Sequence, residues 1–401
     1  MLSVEEARAR ILAPLRPTAA EVVGLADAFG RVSAQPIAAR RTQPPADVSA
    51  MDGFALRARD GAEGARLNVV GSAPAGHPFA GRVGPGEVVR IYTGSVVPEG
   101  ADTILIQENA RDEGSAVMVE KAVAAGRHIR RAGQDFSEGD VLIPAGRRLS
   151  ARDIGLAAAA NHPWIAVHRA PRVAILATGD EVALPGEALP PGGVVSSNAH
   201  ALAALVRAAG GEPTVLPIVR DDAAAIAAAA ESARGMDLLV TTGGASVGAH
   251  DLVQEGLGRL GFVLDFWKIA MRPGKPLIVG RVVDVPMIGL PGNPVSALVC
   301  AILFLLPALA RLCGLGETTL PVEEARLGVP VAANDGRADH LRAKLTTDSS
   351  GRLVATPFQQ QDSSLLLLLA RADALILRPP HGPALPADAM VPVIRLDRLG
   401  V

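Results

Sequence analysis

Three cations stand close together in the segment Trp267–Pro276, which reads WKIAMRPGKP. Lys268 follows an aromatic residue, whereas Arg272 and Lys275 flank a Pro-Gly pair that stiffens the turn between them. Such side chains are ordinarily no more than surface charge. A rigidly presented pair, however, loses little entropy when it binds a ligand. The pattern therefore favours a site for an anion.

Two nearby turns can supply backbone donors to the same ligand. The segments Thr241–Gly248 and Leu290–Pro294 read TTGGASVG and LPGNP, and each follows an apolar run typical of a strand. Glycine turns and helix starts present unblocked N–H groups, which bind phosphate. The predicted anion cradle consists of Gly243, Gly244, Ser246, Gly248, Pro291, Asn293 and Pro294.

The first of these loops also allows a different chemistry. Residues Gly244–Gly248 match the pattern G-x-S-x-G of a nucleophile elbow. A hydrolase centred on Ser246 is therefore an alternative, and a purely structural turn is a third. An elbow also needs a later acid and a histidine, and the candidates His340 and His381 fall in a separate C-terminal module. This separation favours the phosphate cradle.

Acidic side chains follow the ends of several predicted strands. Glu181, Asp221 and Asp251 are expected at the same sheet edge as the cations. Asp221 and Asp251, taken singly, can be explained as helix caps. Carboxylates beside a phosphate repel it unless a cation lies between them, and Mg²⁺ is bound by one or two carboxylates together with phosphate oxygens. The sequence therefore predicts a Mg²⁺ site drawn from these three acids.

Other polar positions carry weaker signals. Segments Ser49–Ala55 and Arg90–Ser95 each place a polar side chain beside a glycine, and the residues alone favour turns there over sites. The histidines of the N-terminal half lack the spacing of metal ligands, which argues against a transition-metal centre built by the protein. These histidines are His77, His128, His162 and His168.

The composition excludes several classes of protein. A net charge of −2 gives no general attraction for nucleic acid or anionic lipid, and 3% aromatic content is poor material for stacking on bases. Cys300 and Cys313 show no CxxC spacing, which indicates a reducing, cytoplasmic location. The uncharged stretch Pro294–Ala310 is short for a membrane span and contains Pro307, so it predicts a core or subunit-interface helix.

The elements that must position these residues follow from periodicity. Short apolar runs between glycines and prolines predict a β-rich module over residues 42–140, and the last eighty or so residues predict another. Between them, strands alternate with helices, which predicts a parallel sheet with ligands at the carboxyl ends of its strands. The predicted helices are Ser3–Leu12, Ala151–Ala160, Asn198–Ala209 and Asp221–Arg234, and the strands include Val173–Ala177, Pro213–Val219 and Leu238–Thr241.

The fold class expected from these elements is multidomain α/β plus β. A central doubly wound, mostly parallel α/β domain carries an inserted β-rich N-terminal module and a small C-terminal β-barrel module. The predicted domains are an inserted β-rich domain of 45–140, an α/β domain of 169–316 and a C-terminal β domain of 317–401.

The chain resembles the MoeA-like molybdopterin molybdenumtransferases, a family that includes the gephyrin E domain. Nine motifs occur in the order shown by that family: SAMDGFA, RIYTGSVVPEGAD, RRAGQDF, LATGDE, SSNAHAL, VRDD, TTGGASVGAHD, WKIAMRPGKP and GLPGNPVSA. They extend over nearly the whole chain up to the C-terminal module. Such agreement in order is highly specific.

The resemblance implies an elongated homodimer that inserts molybdate into adenylylated molybdopterin, using Mg²⁺ and releasing AMP. It implies in addition that residues 1–44 with 141–168 form an elongated linker and helical domain. It also implies contact with the adenylyltransferase that prepares the pterin and with molybdoenzymes that receive the product. By motif match, the functional positions are Asp52, Thr93, Asp135, Glu181, Asp221, Asp251, Lys268, Arg272, Lys275, Pro291 and Pro294, with Arg342 and Ser363 added from the C-terminal motifs.

The C-terminal motifs depart from the family pattern. The stretch Gly336–Arg342 lacks the family's aromatic residue, and Asp362 stands where the family has glycine. Two other functions stay open. An adenylyltransferase shares the α/β domain, although the N- and C-terminal modules would then be superfluous. A scaffold like gephyrin's domain would need a partner-binding tail, which nothing here suggests.

Overall fold

The central sheet provides the frame of the molecule. The computed structural model describes residues 1–243, 255–316 and 319–399. The first four strands of the sheet are parallel and the last two antiparallel, and almost every residue of the inner strands is buried, as expected of a sheet covered on both faces. In spatial order the strands are Glu212–Val215, Arg172–Ala177, Leu238–Thr242, Val285–Leu290, Pro276–Val282 and Val263–Lys268.

The predicted strands are found, with one difference in length. The run predicted over Pro213–Val219 is regular only over Glu212–Val215. Pro217 has no N–H to donate to the ladder, so pairing is interrupted there and returns as a single bridge between Thr178 and Val219.

Helices cover both faces of this sheet. Ser3 caps the first helix through a reciprocal bond with Glu6, as predicted. The helix predicted from Asn198 begins at that residue, but Ser197 and not Asn198 stands at its N-cap position. The helix predicted from Asp221 begins at Ala223 and is capped by Asp222. The helices of this region are Val4–Leu12, Asn198–Ala208, Ala223–Glu231, Pro294–Cys300 and Leu306–Leu312, with helical residues 255–258 and a π turn at Ala301–Leu305.

The long apolar helix is a core element. Residues Pro294–Leu312 have a mean hydropathy of 2.3, enough to cross a membrane by length and composition, but 78% of the most apolar stretch is buried within the protein. The π turn at Ala301–Leu305 interrupts the α-helical hydrogen bonds just before Pro307, which has no backbone N–H to donate. Phe304 and Leu305 pack in one cluster with the first helix and the central sheet. The prediction of a core helix is confirmed.

The N-terminal half forms a second, mixed sheet reached through paired linkers. Its strands, in spatial order, are Thr103–Ile106, Gly53–Leu56, Glu87–Ile91, Arg66–Ala73, Ala116–Val119 and Ala110–Asp112. The segments that lead into and out of this sheet run side by side, because Ile37–Ala38 pairs with Val141–Ile143. The remaining elements are the ribbons Ala20–Gly24 with Trp164–His168 and Val48–Ser49 with Ile129–Arg130, the helix Ala151–Ala159, and the 3₁₀ turns Leu25–Asp27, Ala58–Asp60 and Gln107–Asn109.

The C-terminal region is a closed five-stranded barrel, as predicted. Its strands follow the order Ala338–Thr347, Leu353–Pro357, Glu323–Leu327, Met390–Arg395 and Ala374–Arg378, and the last pairs with the first. A helix at Leu366–Ala370 and a 3₁₀ turn at Asp397–Leu399 complete it. The barrel joins the central domain directly, because Met271–Arg272 runs parallel to Ala338–Asp339.

Candidate active site

A cleft of about 970 Å³ lies at the carboxyl ends of the parallel strands, bounded on one side by the barrel. This is where a doubly wound sheet places its ligands. Eight predicted site residues line it: Glu181, Gly243, Arg272, Lys275, Pro291, Asn293, Pro294 and Ser363. Residues 244–254, which include the predicted Gly244, Ser246, Gly248 and Asp251, lie outside the described residues.

The strand end at Gly243 brings backbone into the cleft. Gly243 has φ +92°, and a Cβ there would stand 2.3 Å from the carbonyl oxygen of Thr178. Only glycine fits this position. The adjacent turn is held by Asn198, whose Nδ2 donates to Thr242 Oγ1 at 2.9 Å and to the Gly292 carbonyl at 2.8 Å. Asn198 thus braces the cleft, a role that its interpretation as a helix cap had missed.

The cationic turn places two of its three cations on the cleft. Gly274, at φ +107°, packs on the apolar helix so closely that a Cβ would stand 2.4 Å from Cys300 Sγ. Lys275 is exposed on the cleft wall, and Arg272 lines it from the other side of the Pro-Gly pair. Within the described residues, Lys268 lies outside this wall. Its Nζ sits 3.7 Å from the centre of the Trp267 ring.

Arg272 is partly neutralised by the barrel. Its Nε and Nη2 donate to the two carboxylate oxygens of Asp339 at 2.9 and 2.6 Å. Bonding to Asp339 raises the pKa of the Arg272 guanidinium, although burial opposes this. The Asp339 side chain is 6% exposed and the Arg272 side chain 49%, so the pair is buried at one end only. Lys275 is consequently the less neutralised of the two cations.

The helix start at Asn293 is partly occupied by the barrel. The N–H of Val295 donates to the carbonyl oxygen of Ser363 at 3.1 Å, and Pro294 has no N–H. Asn293 Nδ2 donates to Ser363 Oγ at 2.9 Å. A turn of the barrel therefore takes the Val295 donor, and an anion-binding role for the rest of this helix start stays a prediction. The side chains of Asn293 and Ser363 remain on the cleft wall.

Arg342 does not line the cleft described here, contrary to its predicted role in binding substrate. It is 1% exposed, and burial lowers the pKa of its guanidinium. Its Nε donates to Gln361 Oε1 at 3.2 Å. Gln361 and Arg337, which the sequence did not single out as binding residues, do line the cleft. The only sequence signal for them was their place within the two C-terminal motifs.

Glu181 lines the cleft and Asp221 interacts with Glu181 from outside the described lining, and this grouping of acids suits a hard cation. Burial, followed by the charges of Glu181 and Asp180, raises the pKa of Asp221, so negative charge is concentrated there. The Asp221 N–H donates to Asp180 Oδ1 at 3.3 Å. In the described ranges no group of three His, Cys, Asp or Glu side chains has the geometry of a metal site. One or two carboxylates completed by substrate oxygens is nevertheless the usual Mg²⁺ arrangement, and the residues present fit it.

Asp52 and Thr93 meet each other, but away from this cleft. The Thr93 N–H and Oγ1 donate to Asp52 Oδ1 at 2.7 and 2.8 Å, and these bonds lower the pKa of Asp52. A second cleft of about 650 Å³ in the N-terminal half is lined by residues that include Gly94, Arg130 and Asp135. The two clefts share no lining residue among those described.

Comparison with known proteins covers the chain from end to end. Residues 2–161 match the model of the MoeA N-terminal region (domain I and II), 174–311 a probable molybdopterin binding domain, and 324–396 the MoeA C-terminal region (domain IV). A molybdopterin molybdenumtransferase of Haemophilus influenzae is 32% identical over 94% of each chain. That of Bacillus subtilis is 34% identical over 94% of this chain and 90% of its own.

The chain belongs to the MoeA family of molybdopterin molybdenumtransferases. Structure agrees with sequence, because the crystal structure of a molybdopterin biosynthesis MoeA protein from Pyrococcus horikosii superposes with a TM-score of 0.86 at 30% identity, covering 98% of this chain and 99% of that one. As a MoeA-family enzyme, the chain acts in molybdenum cofactor biosynthesis.

The position of His340 bears on the serine-hydrolase alternative. His340, one of the two histidines considered for it, is 5% exposed in the barrel. Burial lowers the pKa of His340 to about 4, and in the part of the chain described its Nδ1 has no hydrogen-bond partner. His340 is not part of the described cleft lining, and Ser246 itself lies outside the described residues.

Proposed function

We propose that this MoeA-family enzyme inserts molybdate into adenylylated molybdopterin in the larger cleft, with Mg²⁺ and release of AMP. The observation that carries the proposal is the meeting of Lys275 and Arg272 with the carboxylate of Glu181 around one strand-end cleft. Cations on one wall suit a dianion and a phosphoanhydride. A carboxylate on the same wall suits the cation that such a ligand brings.

The cleft lining contains polar residues that suit the oxyanion and apolar residues that suit the pterin. Lys275 offsets the charge of molybdate, and the Ser363 hydroxyl and Asn293 amide can bond to oxyanion oxygens. Val194 and Val195 are 51% and 46% exposed on the cleft, which suits the flat pterin ring. Mg²⁺, when bound, neutralises the phosphoanhydride and eases its cleavage. Glu181 and Asp221 are the described residues that would hold it, with Asp251 as the third predicted acid.

The test is a defined assay with purified protein, adenylylated molybdopterin, molybdate and MgCl₂. AMP release that depends on both molybdate and Mg²⁺, together with formation of molybdenum cofactor, is expected. Hydrolysis that proceeds equally without molybdate would contradict the proposal. A fluorophosphonate probe added to the same preparation tests the serine-hydrolase alternative, because it labels Ser246 only if that residue is a nucleophile.

We also propose that the working enzyme is a homodimer whose sites are completed across the twofold axis. Asp52 and Thr93 are bonded to each other yet absent from the described wall of the larger cleft, so they need a second subunit to meet an anion there. Isologous symmetry makes this testable. Asp52→Ala and Lys275→Ala variants, each assayed at molybdate well below the KM so that both are strongly impaired alone, should regain activity in mixed dimers, since one site then carries both lesions and the other neither. No recovery in verified heterodimers would contradict a shared site.

The remaining partners are proposed on chemical grounds. The adenylylated pterin must come from an adenylyltransferase, and the finished cofactor must pass to molybdoenzymes. A cytoplasmic location is supported by Cys300 and Cys313, which are buried as free thiols. Copurification with an adenylyltransferase is the measurement that distinguishes two routes for the pterin. Direct transfer predicts that the two enzymes copurify, and free diffusion of the pterin predicts that they do not.

A further inference from the structure

Gln361 fastens a turn of the barrel to a barrel strand. Its Oε1 accepts from the N–H and the Nε of Arg342 at 3.0 and 3.2 Å, and its Nε2 donates to the carbonyls of Arg342 and Phe358 at 3.0 and 2.9 Å. The side-chain amide therefore exchanges bonds with the Arg342 backbone as a neighbouring strand would. All four bonds converge on one half-buried side chain that lines the cleft.

The residues after Gln361 carry this attachment to the central domain. Asp362 closes a tight turn by accepting from the Ser364 N–H at 2.8 Å and from its hydroxyl at 2.6 Å. Between them, Ser363 offers its carbonyl to the Val295 N–H and its hydroxyl to Asn293. Ser363, which contacts the start of the core helix, is thus only two residues from the hydrogen-bonded side chain of Gln361.

The setting of Arg342 makes this brace costly to lose. Arg342 is 1% exposed, and in the part of the chain described its Nη2 has no hydrogen-bond partner, while its Nη1 makes one long bond of 3.4 Å to the Leu365 carbonyl. Among the described residues, Gln361 is therefore the side chain that bonds this buried guanidinium, at its Nε. A buried polar group left without a partner is unfavourable. Arg342 and Gln361 are therefore expected to keep this one hydrogen-bonded arrangement.

We propose that Gln361 is a positioning residue for molybdenum transfer, holding Ser363 against the helix start so that the cleft presents a fixed set of side-chain donors. The proposal rests on the proposed function of the same cleft. Its consequence is that the anion meets the Ser363 hydroxyl and the Asn293 amide in place of the Val295 N–H. Because Ser363 contacts the bound anion before and during reaction, loss of the brace should raise KM and leave kcat nearly unchanged.

The test compares Gln361→Met with Gln360→Met in the full-length enzyme. Methionine keeps the length of the side chain and removes all four bonds, and Gln360 is the exposed neighbour of the same type. The KM for molybdate should rise about tenfold in Gln361→Met, with kcat within about threefold, and neither should change in Gln360→Met. Gln361→Asn, which is too short to make both pairs of bonds, should behave like Gln361→Met if the latter folds poorly.

Two further readouts separate positioning from general destabilisation. Hydrogen exchange over residues 292–298 should accelerate in Gln361→Met, because the Val295 N–H loses its acceptor. In a double-mutant cycle with Ser363→Ala, the KM effects should fail to multiply, because both changes remove the same contact.

Multiplicative KM effects, or unchanged exchange over 292–298, would overturn the role given to Gln361. So would an equal KM increase in Gln360→Met. If wild-type enzyme shows no molybdate-dependent AMP release, the proposed function fails instead. The exchange experiment still decides whether Gln361 holds the turn against the helix, so the two failures are distinguishable.

Discussion

The ion pair between Arg272 and Asp339 should respond unequally to the loss of each partner. Arg272→Met leaves a carboxylate that is 6% exposed without its cation, whereas Asp339→Asn leaves a guanidinium that is 49% exposed and open to water. Removing the cation of a buried pair costs about 3 kcal/mol. Losing charge-assisted bonds at a solvated group costs about 1.5 kcal/mol. The arginine substitution should therefore be the more damaging by about a factor of two in free energy.

Cys300 offers a local probe of this junction. Its thiol is fully buried beneath the turn that follows Arg272, with Sγ 3.6 Å from the Gly274 carbonyl, and burial raises its pKa. Reaction with a thiol reagent under native conditions then requires local opening. In a Cys313→Ala background, labelling should accelerate about a hundredfold in Arg272→Met and about tenfold in Asp339→Asn, at 1.4 kcal/mol per factor of ten.

The control is Arg281→Met, which breaks an exposed pair with Asp284 whose side chains are 60% and 92% exposed. Such a pair contributes little to stability, so labelling should not change. Equal acceleration in Arg272→Met and Asp339→Asn, or a larger effect of the asparagine, would refute the claim that burial of the carboxylate decides the cost.

Three more predictions concern the cleft. Lys275→Ala should raise the KM for molybdate about tenfold or more without altering the urea midpoint, because an exposed charge binds ligand and stabilises little. Asp221→Asn should melt on the order of 1 °C above wild type at pH 7 without Mg²⁺, and this difference should shrink as the pH falls toward 4. The reason is the raised pKa of Asp221, because its ionisation penalty grows as the pH rises from the pKa of the unfolded chain to that of the folded protein. Val195→Ser should raise the KM for the pterin about fivefold, and Leu189→Ser, exposed outside the cleft wall, should not; equal values would contradict the apolar wall.

Local sequence signals were sufficient for most elements of the fold. The capping box of Ser3 and Glu6, the apolar runs of the central strands and the charge-free stretch from Pro294 each depend on neighbours within a few residues. The errors are also local in origin. Pro217 shortened a strand whose apolar pattern continued past it, and Ser197 displaced Asn198 from the helix cap.

The site was predictable only as far as chain neighbours determine it. The turn holding Arg272 and Lys275 was found from its Pro-Gly pair, but Lys268, four residues earlier, ends an edge strand beside Trp267 and lies outside the described cleft wall. The capture of the Val295 N–H by Ser363 joins residues 68 positions apart in different domains. No periodicity or motif spacing records such a contact, so the helix start was expected to be open.

The barrel therefore contributes side chains to the proposed active-site cleft. The region matched as a probable molybdopterin binding domain ends at residue 311, yet Arg337, Gln361 and Ser363 line the same cleft. The barrel neutralises one cation through Asp339 and occupies one helix start through Ser363. Both contacts reduce the non-selective positive field of the cleft. Lys275, Arg337 in its ion pair with Asp335, and a few oriented side-chain donors remain in the described lining. Such directional donors discriminate a tetrahedral oxyanion better than a general positive field does.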